Sequence, residues 1–316
     1  MAIKSYKGFD KNLRCRGFQY KIGGIYEMDG KIKMRNRGFH ACESPFDVFD
    51  YYTMIDSRFC EVEQDGNISK WDRGTKICSS RIKIKAELKL ANMINLGVEW
   101  LKEITSPEKI KTSIKDNSSG NYAKIGSSGD EAQIGSSGND AKIGSSGNDA
   151  KIGSSGYGAK IGSSGDEAQI GSSGNDAKIG SSGNDAKIGS SGNDAKIGSS
   201  GNDAKIGSSG NNAQIGSSGN NAQIGSSSDG AKISSSGYGA KIDSTGEDCV
   251  IMCAGINSVA KASKGSWVTL SEWSYSEEKQ RYIPICVKTE FVDGEKIKAD
   301  TYYSLKGGVF VECIND

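Results

Sequence analysis

A nine-residue period in the middle of the chain constrains the fold more than any other feature. Fifteen isoleucines keep this spacing from Ile125 to Ile251, and fourteen alanines, from Ala123 to Ala240, lie two residues before them. The unit around them stays close to GSSGNDAKI. A fixed short period is typical of a solenoid, in which one small unit stacks and buries a continuous thin core. Because near-identical units offer no unique pocket, we interpret this part as a scaffold or a surface.

The length of one coil follows from the unit. Ala-Lys-Ile alternates inward and outward as a strand does, and GSSG supplies small residues for a tight turn. Nine residues are too few to surround a packed core, so we predict two units, or eighteen residues, per coil. Ile125 should then stack on Ile143, and Ile134 on Ile152. About eight coils spaced by about 4.8 Å give a parallel β-solenoid roughly 38 Å long. We expect backbone ladders and stacked serine hydroxyls to supply much of its cohesion.

Ordinary globular sequence flanks the repeat, and a mostly β protein of three domains is predicted. They are an α+β domain over residues 1–115, the nonapeptide-repeat solenoid over 116–264, and a small β-hairpin capping domain over 265–316. In the first domain, the patterns predict a strand over Lys76–Leu88 and an amphipathic helix over Leu90–Ile104. Solenoids need caps for their open edges, so we expect the third domain to cover the last coil or to pack on the first domain.

The composition excludes several classes of function. A net charge of +1 over 316 residues gives no overall electrostatic signal for nucleic acid or a membrane. The start, MAIKSYKGFD, lacks the apolar stretch of a signal peptide, which predicts a cytoplasmic protein in the host cell cytosol. None of the eight cysteines forms a CxxC pair, and there is a single histidine, so we predict reduced thiols, no metal site and no cofactor.

The repeat resembles the calcium-binding nonapeptide of secreted toxins, GGxGxDxUx. Both have glycines at the first and fourth positions, and an acid such as Asp140 occupies the sixth. The sixth position is not kept, however, since it becomes Gly158, Asn212 and Gly239. A calcium ladder needs oxygen ligands at every turn. We therefore predict a metal-free solenoid.

Lysines form a row along each edge of the predicted rod. One row is Lys124, Lys142, Lys160, Lys178, Lys196 and Lys232, and the other is Lys151, Lys187, Lys205 and Lys241. Such a row can bind phosphates. An acid two residues before many of the lysines, as in Asp140–Lys142, favours a charge-balanced, solvated face instead.

Three tyrosines interrupt the polar repeat. Unit duplication accounts for their positions, yet an exposed tyrosine is also a plausible contact point. The candidate binding residues are therefore Tyr122, Tyr157, Tyr238, Lys142, Lys160, Lys178 and Lys196.

The segment RGFHAC, residues 37–42, carries the single histidine. It precedes Ser44–Pro45, which predicts the start of a helix over FDVFDYY. His40 is either a structural histidine or a catalytic or ligand-binding one. The glycine–aromatic–histidine step resembles the nucleotide-binding strand of ADP-ribosyltransferases, which implies a nucleotide-dependent enzyme centred on His40. No downstream catalytic glutamate is recognisable, and no GxSxG, P-loop or GxGxxG is present.

Both ends of the chain resemble uncharacterised phage and prophage proteins of gut bacteria. The resemblance is carried by SYKGFDKNLRCRGFQYKIGG, by RGFHACESPFDVFDYY, and by the tail GSWVTLSEW with VDGEKIKADTYYSLKGGVFVE. In such proteins the middle is a repeat array of variable length. The resemblance implies an origin in a mobile genetic element, and it brings no activity to any residue.

These observations lead to one main functional hypothesis and two alternatives. The main one is a phage-encoded, non-enzymatic protein that binds and blocks a host protein or protein complex, or a signalling nucleotide, and so inhibits a host defence. It involves neither a membrane nor nucleic acid. One alternative is a structural spacer of a virion or fibre, although Lys, Asp and Asn edges offer few apolar faces for self-association. The other is an enzyme built around His40. The oligomeric state is left open.

Overall fold

The chain divides into two compact units, residues 1–100 and 101–316, called here the N-terminal and C-terminal units. A computed structural model describes residues 2–54, 56–71, 74–104 and 120–313. The domain boundary predicted at 115 lies outside the described residues. Within these ranges, no helix is both long and apolar enough to cross a bilayer.

Short and long strands dominate the N-terminal unit. Its elements are β1 (Ile3–Phe9), β2 (Arg14–Cys15), β3 (Phe18–Gln19), β4 (Ile25–Glu27), β5 (Phe39–Cys42), a 3₁₀ helix (Phe46–Asp50), β6 (Arg58–Lys70), β7 (Lys76–Leu88) and α1 (Leu90–Ile104). The bounds of β7 and α1 agree with the sequence prediction.

The helix predicted after Ser44–Pro45 is a 3₁₀ helix of five residues rather than an α-helix. Pro45, rather than Ser44, is the N-cap of this helix, and Ser44 Oγ accepts a long hydrogen bond from the N–H of Asp47 at 3.4 Å. The following Tyr52 packs its ring over Gly8, where a Cβ would overlap the ring.

Four strands of the N-terminal unit pair in a closed ring. β1 pairs with β5 and β6, and β7 pairs with β5 and β6, all antiparallel, while β4 adds to β7. A buried polar contact lies inside the ring: Ser5 Oγ donates to Gln64 Oε1 at 2.7 Å, and Gln64 Nε2 donates to Ser79 Oγ at 3.0 Å. Because side chains alternate along a strand, Ser5, Lys7 and Phe9 share one face of β1.

The C-terminal unit contains a parallel β-solenoid of about eight turns. Sheet 1 contains β8 (Lys124–Ser127), β10 (Lys142–Ser145), β12 (Lys160–Ser163), β14 (Lys178–Ser181), β16 (Lys196–Ser199), β18 (Gln214–Ser217), β20 (Lys232–Ser235) and β22 (Val250–Cys253). Sheet 2 contains β9 (Gln133–Ser136), β11 (Lys151–Ser154), β13 (Gln169–Ser172), β15 (Lys187–Ser190), β17 (Lys205–Ser208), β19 (Gln223–Ser226), β21 (Lys241–Ser244) and β23 (Val259–Ala262).

The eighteen-residue coil is confirmed by the strand register. Ile143 pairs with Ile125 on one side and with Ile161 on the other, all in sheet 1. Ile152 pairs with Ile134 in sheet 2. These isoleucines and the alanines before them are buried, and they form the thin core that the period predicts.

The turns explain why the polar residues of the unit repeat. The residue at the sixth position has a left-handed backbone, as in Asp185 with φ 54°, which Asp, Asn and Gly tolerate best. At the fifth position, Asn202 N–H donates to Oδ1 of Asn184, one coil earlier, at 2.9 Å. At the fourth position, a Cβ on Gly192 would overlap the main-chain oxygen of Gly174 in the previous coil. Each coil is thus fixed to the previous one through its turn.

Stacked serine hydroxyls were expected to add to the cohesion of the solenoid. This is wrong for most of the buried serines in the described coils, because their hydroxyls form no hydrogen bond. Buried hydroxyls without a hydrogen-bond partner within the described ranges are those of Ser145, Ser154, Ser163, Ser172, Ser181, Ser190, Ser199, Ser217, Ser235 and Ser244. Serines in adjacent coils are separated by about one strand spacing, near 4.8 Å, which exceeds hydrogen-bond range. The backbone ladder therefore carries the cohesion, as between Lys142 N–H and Ala123 O at 2.7 Å.

Four further strands extend both sheets past the last coil. They are β24 (Trp267–Ser276), β25 (Arg281–Phe291), β26 (Tyr303–Lys306) and β27 (Val309–Glu312). β24 pairs with β22 in parallel, and β25 pairs antiparallel with β24. On the other sheet, β26 pairs antiparallel with β23. These strands cover the edges that β22 and β23 would otherwise expose.

Candidate anion-binding cleft

A cleft of about 850 Å³ opens in the N-terminal unit. Side chains from β1, β5, the β2–β3 hairpin and the segment after the 3₁₀ helix line it. Antiparallel pairing brings distant residues together here, because β1 and β7 both pair with β5. Lys7, Arg16, His40, Tyr52 and Lys76 therefore line one cavity although they span seventy residues of sequence.

Lys7 is a buried lysine in this lining, with 5% of its surface exposed. Its Nζ donates a hydrogen bond to the main-chain oxygen of His40 at 3.1 Å and another to Sγ of Cys15 at 3.4 Å. No described carboxylate lies within ion-pair distance of it. Burial lowers the pKa of Lys7, and the neighbouring Cys15 opposes this effect. An anion bound beside Lys7 would favour its protonated form.

Four more cations line the cleft, namely Arg16, Arg35, Arg37 and Lys76. None of the four forms an ion pair with a described carboxylate. The described lining includes one acid, Glu27, and its carboxylate pairs with Arg81 at 2.6 Å. The field in the cleft is therefore positive.

A tight hairpin places Arg16 at the rim. Arg16 and Gly17 both have positive φ, 51° and 78°, as in the two-residue turns that suit the twist of a β-hairpin. Arg16 is exposed at the tip between β2 and β3. Arg37 extends its Nη2 to the main-chain oxygen of Asp29, at 2.6 Å, which fixes part of the opposite lining.

Aromatic rings provide flat surfaces beside the cations. Phe18, Tyr20 and Tyr26 meet edge to face, with ring centroids 4.9 to 5.5 Å apart. Phe18 is half exposed, at 52%. Tyr51 is also exposed, and Lys76 Nζ lies 3.8 Å from its ring centre. Exposed rings next to cations can stack on a planar ring that carries negative charge.

His40 lies in the lining with a lowered pKa. Burial is the largest cause, the charges of Lys76 and Lys7 add to it, and together they lower the pKa of His40 from 6.5 to about 4. Its Nε2 accepts a hydrogen bond from the N–H of Arg35 at 3.0 Å. A neutral imidazole whose acceptor nitrogen is already engaged is a poor general base. The catalytic role predicted for His40 stays untested, and the structure places this residue in the lining of the cleft.

The three candidate tyrosines do not form one patch. Tyr122 and Tyr157 precede β8 and β12 of sheet 1, whereas Tyr238 precedes β21 of sheet 2, on the opposite edge of the coil. All three are at least half exposed. A hydrogen bond to Asp176 raises the pKa of Tyr157. Tyr238 Oη accepts from Nδ2 of Asn257 at 2.9 Å.

The four candidate lysines do lie together, in one exposed row on sheet 1. Lys142 pairs in register with Lys160, and the row borders an open groove of about 1390 Å³. The groove floor is a row of glycines, and a Cβ on Gly162 or Gly180 would meet no atom within 4 Å. Lys187, in the second lysine row, is buried instead, at 7% exposure.

The ion pairs expected to neutralise this row are not formed among the described residues. Lys142, Lys160, Lys178 and Lys196 have no described carboxylate within ion-pair distance. Asp140 occupies a left-handed turn position with φ 55°, and its Oδ1 lies over Gly158 of the next coil rather than beside Lys142. The lysines of this row are thus exposed and form no direct ion pair with a described carboxylate, while the acids of the adjoining turns lie in the same coils.

No group of three or more His, Cys, Asp or Glu suitable for a metal occurs within the described ranges. The prediction of a metal-free protein is tested by the calcium experiment in the Discussion.

Sequence reasoning selected His40 but missed Lys7, Arg16, Arg35, Arg37 and Lys76. One signal was present: in SYKGF, Lys7 interrupts a face of β1 that is otherwise formed by Ser5 and Phe9. A lysine on the inward face of a strand is unusual, because burial of an ammonium is costly. The convergence of the arginines depends on strand pairing and has no local signal.

In the comparison with known proteins, the matched family covers residues of the N-terminal unit. Residues 3–96 match a family described as a domain of unknown function (DUF7666). No curated protein and no solved structure matches the chain. The match covers the cleft and ends before the solenoid begins.

Proposed function

We propose that this protein is a non-enzymatic binding protein whose N-terminal cleft holds a small anionic molecule of the nucleotide class. The observation that supports this most strongly is the set of five basic side chains in the cleft, none of which pairs with a described carboxylate. A phosphate group meets the arginines and Lys7, and a planar base meets the exposed rings of Phe18 and Tyr51.

The resemblance to phage and prophage proteins gives this binding a biological setting. A phage protein that holds a signalling nucleotide of its host withdraws that signal from the defence that depends on it. The cleft supports the small-molecule version of the host-defence hypothesis, because its volume of about 850 Å³ is within the range of ligand pockets.

A binding role without catalysis is consistent with the protonation and the hydrogen bonding of His40. Its acceptor nitrogen is occupied by the N–H of Arg35, and its low pKa keeps it neutral at physiological pH. The cleft thus has strong cations for holding an anion and lacks a free imidazole base. This favours sequestration over the enzyme alternative.

Calorimetric titration of the full chain tests the proposal. The probes are ADP, NAD and cyclic di-AMP, with adenosine as a probe that lacks phosphate and pyrophosphate as one that lacks a ring. The double variant Arg16→Gln, Arg37→Gln should weaken nucleotide binding by at least about tenfold, since each charge-assisted hydrogen bond contributes roughly 1.5–3 kcal/mol. The matched control is Lys21→Gln, Lys31→Gln, two exposed lysines outside the lining. Equal affinity in both variants, or no binding of any nucleotide, contradicts the proposal.

A second binding surface is favoured by the open lysine row of sheet 1. We propose that its occupant is an acidic segment of a partner protein, because four successive coils, from Lys142 to Lys196, each present one exposed ammonium without a direct ion pair beside an open glycine floor. A second copy of this chain would bring two like-charged rows together, so it is disfavoured. The virion-spacer alternative gains no support from this charged face.

This surface can be tested with polyglutamate as the probe. Saturable binding to the wild type should fall by about tenfold or more in Lys160→Gln, Lys178→Gln, Lys196→Gln. A control variant with three exposed lysines changed elsewhere, Lys21→Gln, Lys31→Gln, Lys279→Gln, should retain it. Equal loss in both variants, or stronger and equally row-dependent binding of single-stranded DNA, would reject an acidic protein as the partner.

A further inference from the structure

The outer face of sheet 1 changes character at the end of the solenoid. In the earlier coils, the outward positions of each strand hold a lysine or glutamine and then a glycine or serine. In β22, β24 and β25, five outward positions hold large apolar side chains, each at least 41% exposed. They are Val250, Met252, Trp267, Val287 and Phe291, called here the apolar patch. The inward positions keep the character of the core, since Ile251 and Val268 are buried.

The apolar patch continues the lysine row in register. Lys232 pairs with Val250, and Val250 pairs with Trp267. Trp267 pairs in turn with Phe291, and their ring centroids lie 5.1 Å apart. The open groove beside the lysines also extends to Val250 and Met252. The terminal coil of a solenoid needs a polar outer face, so a large apolar one indicates a surface that a partner covers.

The edge of the sheet beside the patch resists the addition of a strand. β25 ends sheet 1 among the described strands, and Pro284 within it has no N–H to donate. The register of β24 and β25 also shifts between Glu272 and Trp273, which marks a bulge. Both features are typical of edges that do not pair further. A partner is therefore expected on the face of the sheet rather than at its edge.

The spacing of the lysines fits a helix better than an extended segment. Neighbouring strands are about 4.8 Å apart, so the row from Lys142 to Lys196 spans about 14 Å. On a helix, residues i+3, i+7 and i+10 lie on the same side as residue i, at rises of about 4.5, 10.5 and 15 Å, and match the four lysines within about 1 Å. In an extended segment, alternate residues are about 6.7 Å apart, and the mismatch over the same row reaches about 6 Å.

We propose that the apolar patch docks the apolar end of an amphipathic α-helix of a partner protein, which lies along sheet 1 and across its strands. That the rest of this helix carries acids facing the lysine row rests on the proposed function. One helix covers both surfaces, because acidic and apolar residues can follow one another along one of its sides. A second copy of this chain brings the same lysines and the same patch, so it supplies no acids for the row.

Fluorescence anisotropy of the full chain with two labelled synthetic helices tests the patch. Both peptides are alanine-based and have about 24 residues, which at about 1.5 Å per residue cover the row and the patch. Both carry glutamates at helical spacing over one half. On the same side of the other half, one peptide carries leucines and the other glutamines. The leucine peptide should bind the wild type at least about tenfold more tightly, because the patch removes its leucines from water.

The variant Val250→Thr, Met252→Thr makes part of the patch polar at two half-exposed positions and should abolish the preference for leucine. Val287→Thr, at a side chain that is 62% exposed, should lower the preference by itself. The matched control is Val309→Thr, Val311→Thr, two exposed apolar residues of β27 in sheet 2, and it should retain the preference. Equal affinity of the two peptides for the wild type, or an equal loss in the patch and control variants, overturns the inference.

The variant Lys160→Gln, Lys178→Gln, Lys196→Gln separates this inference from the proposed function. It should weaken both peptides and keep the preference for leucine. Row-dependent binding of polyglutamate without any leucine preference overturns the patch alone. A patch-dependent preference that coexists with unweakened binding in the lysine variant upholds the patch and counts against the row. Patch-dependent dimers in sedimentation velocity, or patch-dependent binding to phosphatidylglycerol vesicles in place of the leucine peptide, overturn a helix as the occupant.

Discussion

The main-chain oxygen of His40 accepts a hydrogen bond from Nζ of Lys7 at 3.1 Å, so the histidine and the buried lysine are fixed against each other in one cleft. The contact crosses from β1 to β5, which pair through Tyr6 and Cys42. It couples the charge of Lys7 to the imidazole, and Lys7 contributes to the low pKa of His40. Since the chain has a single histidine, its imidazole signal can be assigned without ambiguity, and changes of nearby charge can be followed through its pKa.

Proton NMR of the imidazole should give a pKa of about 4 for His40 in the free protein. Lys76→Met removes a positive charge that disfavours protonation, and it should raise this pKa. Lys31→Met, an exposed lysine outside the lining, is the control and should not change it. A pKa near 6.5 in the wild type, or the same value in Lys76→Met, would show that the cleft is not positive.

The lowered pKa of His40 also determines how the stability of the fold changes with pH. The folded pKa of His40 lies below its ordinary value of 6.5, so the unfolded chain takes up a proton first as the pH falls. Stability from this group is complete above pH about 6.5 and decreases toward pH about 4. In urea unfolding, the free energy of unfolding should decrease less between pH about 6.5 and pH about 4 in His40→Asn than in the wild type.

Two glycines of one solenoid unit should differ sharply on substitution by alanine. A Cβ on Gly192 would overlap the carbonyl of Gly174 in the preceding coil, whereas a Cβ on Gly198 would meet no atom within 4 Å. We predict that Gly192→Ala lowers the free energy of unfolding by several kcal/mol, as severe core clashes do. Gly198→Ala should change it by no more than about 1 kcal/mol. Similar midpoints for the two variants in thermal unfolding would contradict the described turn.

The solenoid could be predicted from sequence because its period is exceptionally regular. Ile125 and Ile143 are eighteen residues apart, and a core can close only when two units share a coil. The turn ladder of Asn184 and Asn202 was missed, since side-chain bonds between coils leave no separate trace in a repeat. The cleft was missed for a different reason: Lys7 and Lys76 meet only after strands distant in sequence have paired.

Calcium should not affect stability. The sixth position of the unit lacks an acid at Gly158, Asn212 and Gly239, so a ladder of ligands along the solenoid would be broken. The thermal midpoint should be the same in chelator and in millimolar calcium. A large rise with calcium would instead support the resemblance to the toxin repeat.

Deletions of one coil and of half a coil should have different effects. Removal of residues 174–191 joins Ser173 to Gly192 and keeps every later strand in its own sheet, because register repeats at eighteen residues. Removal of residues 174–182 moves all later strands, and the cap strands paired with β22 and β23, to the other sheet. The two sheets differ in burial, since β14 exposes Lys178 whereas β15 buries Lys187, so the shifted strands enter positions that do not match them. We predict a small decrease in the thermal midpoint for the first deletion and a larger one for the second. Equal midpoints would show that the two sheets are interchangeable.

The most direct test of the central claim is the pKa of His40 measured with and without ADP, NAD or cyclic di-AMP. A phosphate held among Lys7, Arg16 and Arg37 would offset the positive field, and it should raise the pKa of His40 by about one unit or more for at least one of these ligands. The increase should be absent in Arg16→Gln, Arg37→Gln. A value that stays at about 4 with all three ligands at millimolar concentration would contradict the assignment of the cleft as a nucleotide site.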